Sequence, residues 1–186
     1  MPLLPTFRKP TQVAGHRLIL RNAVVADAEF IVGLRTDDDL ARFLSATSAR
    51  VEDQAAWLAR YGADDAQVYF IIQTADGKDV GTVRLYDQRD DSFCWGSWIL
   101  QRGQPSAHAI ESALLVYHFG LSLGFERAHF DVRKGNQSVW RFHERFGATR
   151  VGESDLDYIY EISGAAIRTS LHNFGRLLPD GVRVSY

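Results

Sequence analysis

The sequence predicts one α/β domain built on a mixed, mostly antiparallel sheet with helices on both faces. Three observations lead there. A chain of 186 residues suits one well-buried core and is short for two. Its apolar pattern switches between alternating and helical periods, in the order strand, two helices, three strands, then helix, strand, helix and two strands. Ser92–Leu100 (SFCWGSWIL) is apolar on both faces, which a strand buried on both sides of a sheet requires.

Each element has its own reason. Residues 1–15 carry Pro2, Pro5 and Pro10 without an apolar period and read as an irregular lead-in. From His16 to Arg21 the chain alternates, with Leu18 and Leu20 on one face, as a first strand does. A short helix follows, with Ala28, Ile31 and Leu34 in phase and Asp27 and Glu29 near its positive end. Thr36–Arg50 is polar, with three successive aspartates, and reads as a loop. VEDQAAWLARYG, from Val51, is a second amphipathic helix that Gly62 stops. Val68–Thr74 and Val80–Tyr86 flank the turn Ala75-Asp76-Gly77-Lys78 and form a hairpin. Gly96, in the middle of the two-faced strand, marks a bulge or a close backbone approach.

Ala107–Gly124 keeps helical phase for about five turns. Arg127–Arg133 alternates, with Ala128, Phe130 and Val132 on one face and His129, Asp131 and Arg133 on the other. Asn136 is expected to cap the next helix, in which Val139, Phe142 and Phe146 are in phase up to Gly147. Thr149–Gly152 and Tyr158–Ser163 close the sheet. The expected division is thus a lead-in over 1–15, a domain over 16–162, and a helical extension with a tail over 163–186.

Composition excludes several classes of function. A net charge of -2 and a pI near 6.3 give no footprint for nucleic acid or an anionic membrane. Cys94 is the only cysteine, so neither an internal disulfide nor a cysteine metal site can form, and no metal is expected. No segment reaches the roughly 20 apolar residues that span a bilayer. With no signal-peptide pattern at the N-terminus, the expected location is the cytoplasm.

Gln101-Arg102-Gly103-Gln104-Pro105-Ser106-Ala107 joins the two-faced strand to the start of the long helix. Free amides and the positive helix end make such a junction attractive to phosphate. Gly103 permits close backbone approach, and Arg102 offers a two-pronged contact. Further on, Phe130, Val132, Arg133, Asn136, Phe142 and Gly147 fall in order in FDVRKGNQSVWRFHERFGA.

With those residues in place, the chain resembles the GNAT N-acetyltransferase superfamily over about 16–162, in particular the branch that modifies ribosomal-protein N-termini and small amines. Arg102-x-x-Pro105-x-Ala107 matches the first and last positions of that family's [QR]-x-x-G-x-[GA] loop. Pro105 replaces the middle glycine and removes one amide. The resemblance implies a central parallel strand pair, Ser92–Leu100 beside Arg127–Arg133, that splays into a cleft for acetyl-CoA. It implies cofactor contacts from Trp98, Ile99 and Leu100 through the backbone, from Arg102, Gly103, Gln104, Ser106 and Ala107 in the loop, and from Asn136. It implies Asp131 as general base and His143 as the acid that protonates the leaving thiolate, with the two labels interchangeable.

A bland alternative stands beside each candidate: Asp131 paired with Arg133 or Arg141, His143 as a semi-buried core histidine, and Glu111 as a residue placed by the helix dipole. Tyr69, Trp95, Trp98 and Tyr158 line a sugar or nucleotide pocket, or else belong to the core. The reaction implied is direct acetyl transfer to a primary amine. Its acceptor is a small molecule such as a nucleotide-linked amino sugar, or a protein N-terminal amine. A catalytically silent acyl-CoA-binding module is the alternative of another class. Oligomeric state is left open, a homodimer included.

Overall fold

The computed structural model describes residues 4–186. In chain order the elements are β1 (Gln12–Ala14), β2 (Leu18–Asn22), α1 (Ala28–Arg35), α2 (Val51–Gly62), β3 (Val68–Thr74), β4 (Asp79–Arg89) and β5 (Ser92–Leu100). They continue with α3 (Ser106–Ser122), β6 (Arg127–Arg133), α4 (Gln137–Arg145), β7 (Thr149–Glu153), β8 (Asp157–Ser163), α5 (Gly164–Asn173) and β9 (Arg183–Ser185). One nine-stranded sheet has the order β7-β8-β6-β5-β4-β3-β2-β1-β9. Every neighbouring pair is antiparallel except β5 with β6.

The period of two along the strands builds two cores. In β3, Val68, Phe70 and Ile72 face the larger one, which contains the buried face of α3 together with Phe142 and Phe146 near α4 and Ile167 of α5. Tyr69 and Ile71 point the other way, into a smaller core with Ile31 of α1 and Leu58 and Tyr61 of α2. Helices therefore cover both faces, and the all-apolar reading of β3 and β5 follows from that double burial.

Two expectations need correction. The stretch expected to be an irregular lead-in contains β1, and the expected tail contains β9, which pair with each other, Val13 opposite Val184. Three-residue strands are too short to leave a period in the sequence, and the partner lies at the opposite end of the chain. The side chain of Asn136 does not cap α4. Its backbone sits at φ -87°, ψ 63°, away from the extended geometry that aims a capping oxygen at the first amides.

Candidate functional site

Strands β5 and β6 run side by side only from Ser92–Cys94 against Arg127–His129. Beyond that point they part. The cause lies on the other edge of β5, where Thr82 faces Ile99 but Arg84 faces Gly96, so β5 holds one residue more than β4 over the same span. The surplus falls beside the glycine that suggested a bulge. Ser97 takes the strain, with φ 47° in the left-handed region. Two side chains hold it there: Thr82 Oγ1 donates to the Ser97 carbonyl (2.9 Å), and Arg35 Nη1 donates to Ser97 Oγ (3.2 Å).

A cavity of about 90 Å³ opens where the strands part, lined on the β5 side by Trp95–Trp98 and on the other by Phe130, Asp131, Asn136 and His143. The structure thus brings Asp131 and His143 to one space. Asp131 is exposed. Among the described residues it forms no ion pair, and Arg133 is instead taken by Asp157 (3.0 Å). His143 is 4% exposed and lies against Phe130, ring centroids 4.0 Å apart, with Trp95 at 5.1 Å. Its Nδ1 is buried without a hydrogen-bond partner among the described residues.

Burial among aromatic rings pushes the His143 imidazole down to about 3, so it is neutral at pH 7 and does not titrate near its usual 6.5. In the unfolded chain the same group binds a proton below about 6.5. Between about pH 3 and 6.5 the unfolded state holds the extra proton, so this burial costs stability as pH falls through that window. Urea unfolding of the wild type and of His143→Phe at pH 7.5 and pH 5 is expected to differ in slope. The wild type should lose up to about 2 kcal/mol more than the variant, from 1.36 kcal/mol per unit of linkage. Parallel loss in both proteins would contradict a neutral, buried His143.

The loop that follows β5 is exposed around Gly103, which has φ 80°. Pro105 occupies the position just before α3, and the His108 amide turns back to the Pro105 carbonyl (2.9 Å). Among the described residues, the amides of Gly103, Gln104, Ser106 and Ala107 donate to no protein acceptor. Those donors, converging on a helix N-terminus, fit a phosphate group even with Pro105 in place of glycine. Gln104 Oε1 lies 2.9 Å from His108 Nδ1. Arg102 is placed differently from a free phosphate grip: it bridges Asp37 and Asp39, each at 2.8 Å, and ties this loop to the acidic loop after α1. Ile99 and Leu100 pair with Thr82 and Gly81 of β4 along one edge, Trp98 lies in the irregular stretch just before them, and the other edge of all three faces the gap left by β6. The Trp98 indole donates to Ser112 of α3 (3.1 Å).

Two larger cavities continue from the cleft across the open sheet face. One of about 360 Å³ shares Trp95, Gly96, Phe130 and Asp131 with it. The other, of about 420 Å³, joins the first through Arg35, Ser45, Tyr86 and Ser97. Tyr69 lines that second cavity, and Trp95 and Trp98 line the cleft. Tyr158 lies under Arg150, 3.5 Å from ring centroid to guanidinium, and lines none of these cavities. Cys94 is buried, which raises its thiol to about 11, far from a thiolate nucleophile.

A model of the acetyltransferase (GNAT) domain matches residues 17–149. The chain belongs to the GNAT family. A solved structure described as apo FdhC, a nucleotide-linked sugar GNAT, is 38% identical and superposes with a TM-score of 0.82, covering 90% of this chain and 98% of that one. Spermidine N-acetyltransferase from Vibrio cholerae, solved with CoA and spermine, is 16% identical with a TM-score of 0.74 over 82% of this chain and 98% of its own. A GCN5-related N-acetyltransferase from Brucella melitensis is 15% identical with a TM-score of 0.78, covering 96% and 91%. The last two share the fold. No curated protein matches the chain significantly.

Within this GNAT domain, Arg35, Trp57, Arg84 and Tyr86 escaped sequence reasoning. One signal was present: Arg84 interrupts an otherwise apolar stretch, Val83-Arg84-Leu85, in the interior of the sheet. Among the described residues no helix is long and apolar enough to cross a membrane.

Proposed function

We propose that this GNAT domain transfers the acetyl group of acetyl-CoA directly to the primary amine of a small molecule, a nucleotide-linked amino sugar. The single observation that carries the reading is the unpaired, exposed Asp131 at the mouth of the strand-parting cleft, facing a cavity large enough for a sugar. The 38% identity to a nucleotide-linked sugar GNAT supports the acceptor class.

Acetyl-CoA supplies an activated acetyl thioester. Its phosphates would meet the free amides of Gly103, Gln104, Ser106 and Ala107, its pantetheine the open edge of Trp98–Leu100, and Asn136 would flank the cleft. Asp131 takes the proton from the ammonium group of the acceptor, directly or through water, so that the nitrogen can attack the carbonyl carbon. As the N–C bond forms, the C–S bond breaks and the sulfur takes the electron pair. The second proton that the nitrogen sheds on becoming an amide passes to that sulfur, so that CoA departs as the thiol. Neutral His143 donates an N–H hydrogen bond toward that sulfur, which needs no imidazolium and matches its burial. Buried Cys94 takes no part, and no acyl-enzyme forms.

Release of the CoA thiol, measured against nucleotide-linked amino sugars, free polyamines and N-terminal peptides, tests this reading. Turnover is expected with the sugars and to be far weaker with peptides. Acetyl-CoA binding without turnover on any amine would instead mean a silent binding module.

A further inference from the structure

The 420 Å³ cavity lies beyond the amine-facing groove and has an unusual charge. Arg35, Arg60 and Arg84 line it against a single carboxylate, Asp53, whose Oδ2 already accepts from Ser48 (2.6 Å). Among the described residues none of the three arginines forms an ion pair. Arg35 is held by neutral groups only, Thr47 Oγ1 (2.6 Å), Ser97 Oγ and the Ser45 backbone. Arg84 is half-buried, rests over the rings of Tyr86 (4.3 Å) and Trp57 (5.6 Å), and its Nε has no hydrogen-bond partner among the described residues. Burial lowers the Arg84 guanidinium below its ordinary range, with the nearby positive charge of Arg35 adding to it.

Two guanidiniums placed close together without counterions cost desolvation and repulsion, and a dianion would offset both. The adjoining groove is of mixed charge: Asp87 is paired with Arg89 and His129, Asp157 with Arg133, and Asp131 is the carboxylate that forms no ion pair among the described residues. A molecule laid along both cavities therefore meets the unpaired arginines at one end and the unpaired carboxylate of Asp131 at the other, with Tyr86 and Ser97 between.

Resting on the acceptor class given above, we infer that Arg35 and Arg84 form the subsite for the diphosphate bridge of the nucleotide-linked sugar, aiming its amine along the groove toward Asp131. The pyrophosphate spreads its charge over both guanidiniums, and Trp57 and Tyr69 wall the space in which the nucleoside lies. The subsite sets specificity by requiring a dianionic tail.

The test is calorimetric titration of UDP, dTDP and GDP into protein saturated with CoA, so that nucleotide cannot enter the cofactor site. At least one diphosphate should bind the wild type. Arg84→Ala should weaken it by about 10- to 100-fold, as loss of a charge-assisted contact does. Arg84→Lys should recover part of that loss, and CoA affinity should stay within about twofold. Arg60→Ala, at an exposed position, gives a smaller loss of the same kind and serves if the Arg84 variants fail to fold. No diphosphate binding to the wild type, or unchanged binding to Arg84→Ala, overturns the subsite. Diphosphate binding through Arg84 with no acetylation of any amino sugar leaves the subsite standing and removes the acceptor reading. Acetylation of a nucleotide-linked sugar with an unchanged KM in Arg84→Ala does the reverse.

Discussion

Asp131→Asn should lower kcat/KM for the amine at pH 7 by about 100-fold or more while leaving acetyl-CoA affinity within about threefold. General-base assistance is worth about 10² to 10⁴ in rate, and asparagine keeps the shape while removing the basic oxygen. The deficit should shrink as pH rises. An aliphatic amine is mostly protonated at pH 7, and its free fraction grows tenfold per unit until its own pKa, so solvent progressively replaces the base. A merely structural Asp131 would behave otherwise. Its carboxylate joins no ion pair among the described residues, and the neighbouring Arg133 is already held by Asp157, so the substitution has no network to break. Steady-state kinetics from pH 6.5 to 9.5, with thermal unfolding in parallel, decide the matter. A loss below tenfold, or an equal loss in cofactor affinity, removes Asp131 from the role.

The second large effect is on stability. Glu111, completely buried in α3, reaches across to the turn between β1 and β2. One oxygen accepts from the amides of His16 (2.8 Å), Arg17 (2.7 Å) and Leu18 (3.0 Å). The other lies 3.6 Å from the Arg17 guanidinium. The turn can come this close because residue 15 is glycine; a Cβ there would sit 2.6 Å from the carboxylate oxygen. Glu111→Ala strands these amides and should cost about 3 to 5 kcal/mol, since an unsatisfied buried donor costs about 1 to 3. For a domain of this size each kcal/mol shifts the midpoint by about 2 to 4 °C, so a drop on the order of 10 °C is expected. Glu111→Gln keeps the accepting oxygen and should lose less than half as much. A midpoint for Glu111→Ala within about 2 °C of wild type would mean that water replaces the carboxylate freely.

Glu111 also illustrates what was and was not legible in the letters. Its place in a helix was clear, but the sequence suggested only a residue favoured by the dipole, because its partners lie more than ninety positions away. The long strands and helices could be read because burial on one or both faces stamps a period of 2 or 3.6 on the chain. Gly96 announced a bulge, and the parting of β5 from β6 came through family resemblance in FDVRKGNQSVWRFHERFGA rather than through any period. The arginine-lined cavity was illegible. Its arginines come from α1, α2 and β4, are brought together by the sheet, and leave no spacing in sequence. The three aspartates after α1, which read as part of a polar loop, spend two of their members on Arg102.

The surplus residue at Ser97 carries a last consequence. In a pleated strand a shift of one position exchanges the two faces. Ser97 absorbs one such exchange: with it in place, Trp95 and Trp98, three positions apart, both pack on the core that holds α3, and deleting it would leave them two apart and still on that face. Trp98 would keep its place against Ser112 of α3, and what the deletion would remove is the local bend that the extra residue forces on β5. The groove between β5 and β6 is thus an outcome of chain length as well as composition: a strand one residue too long for its neighbour cannot lie flat.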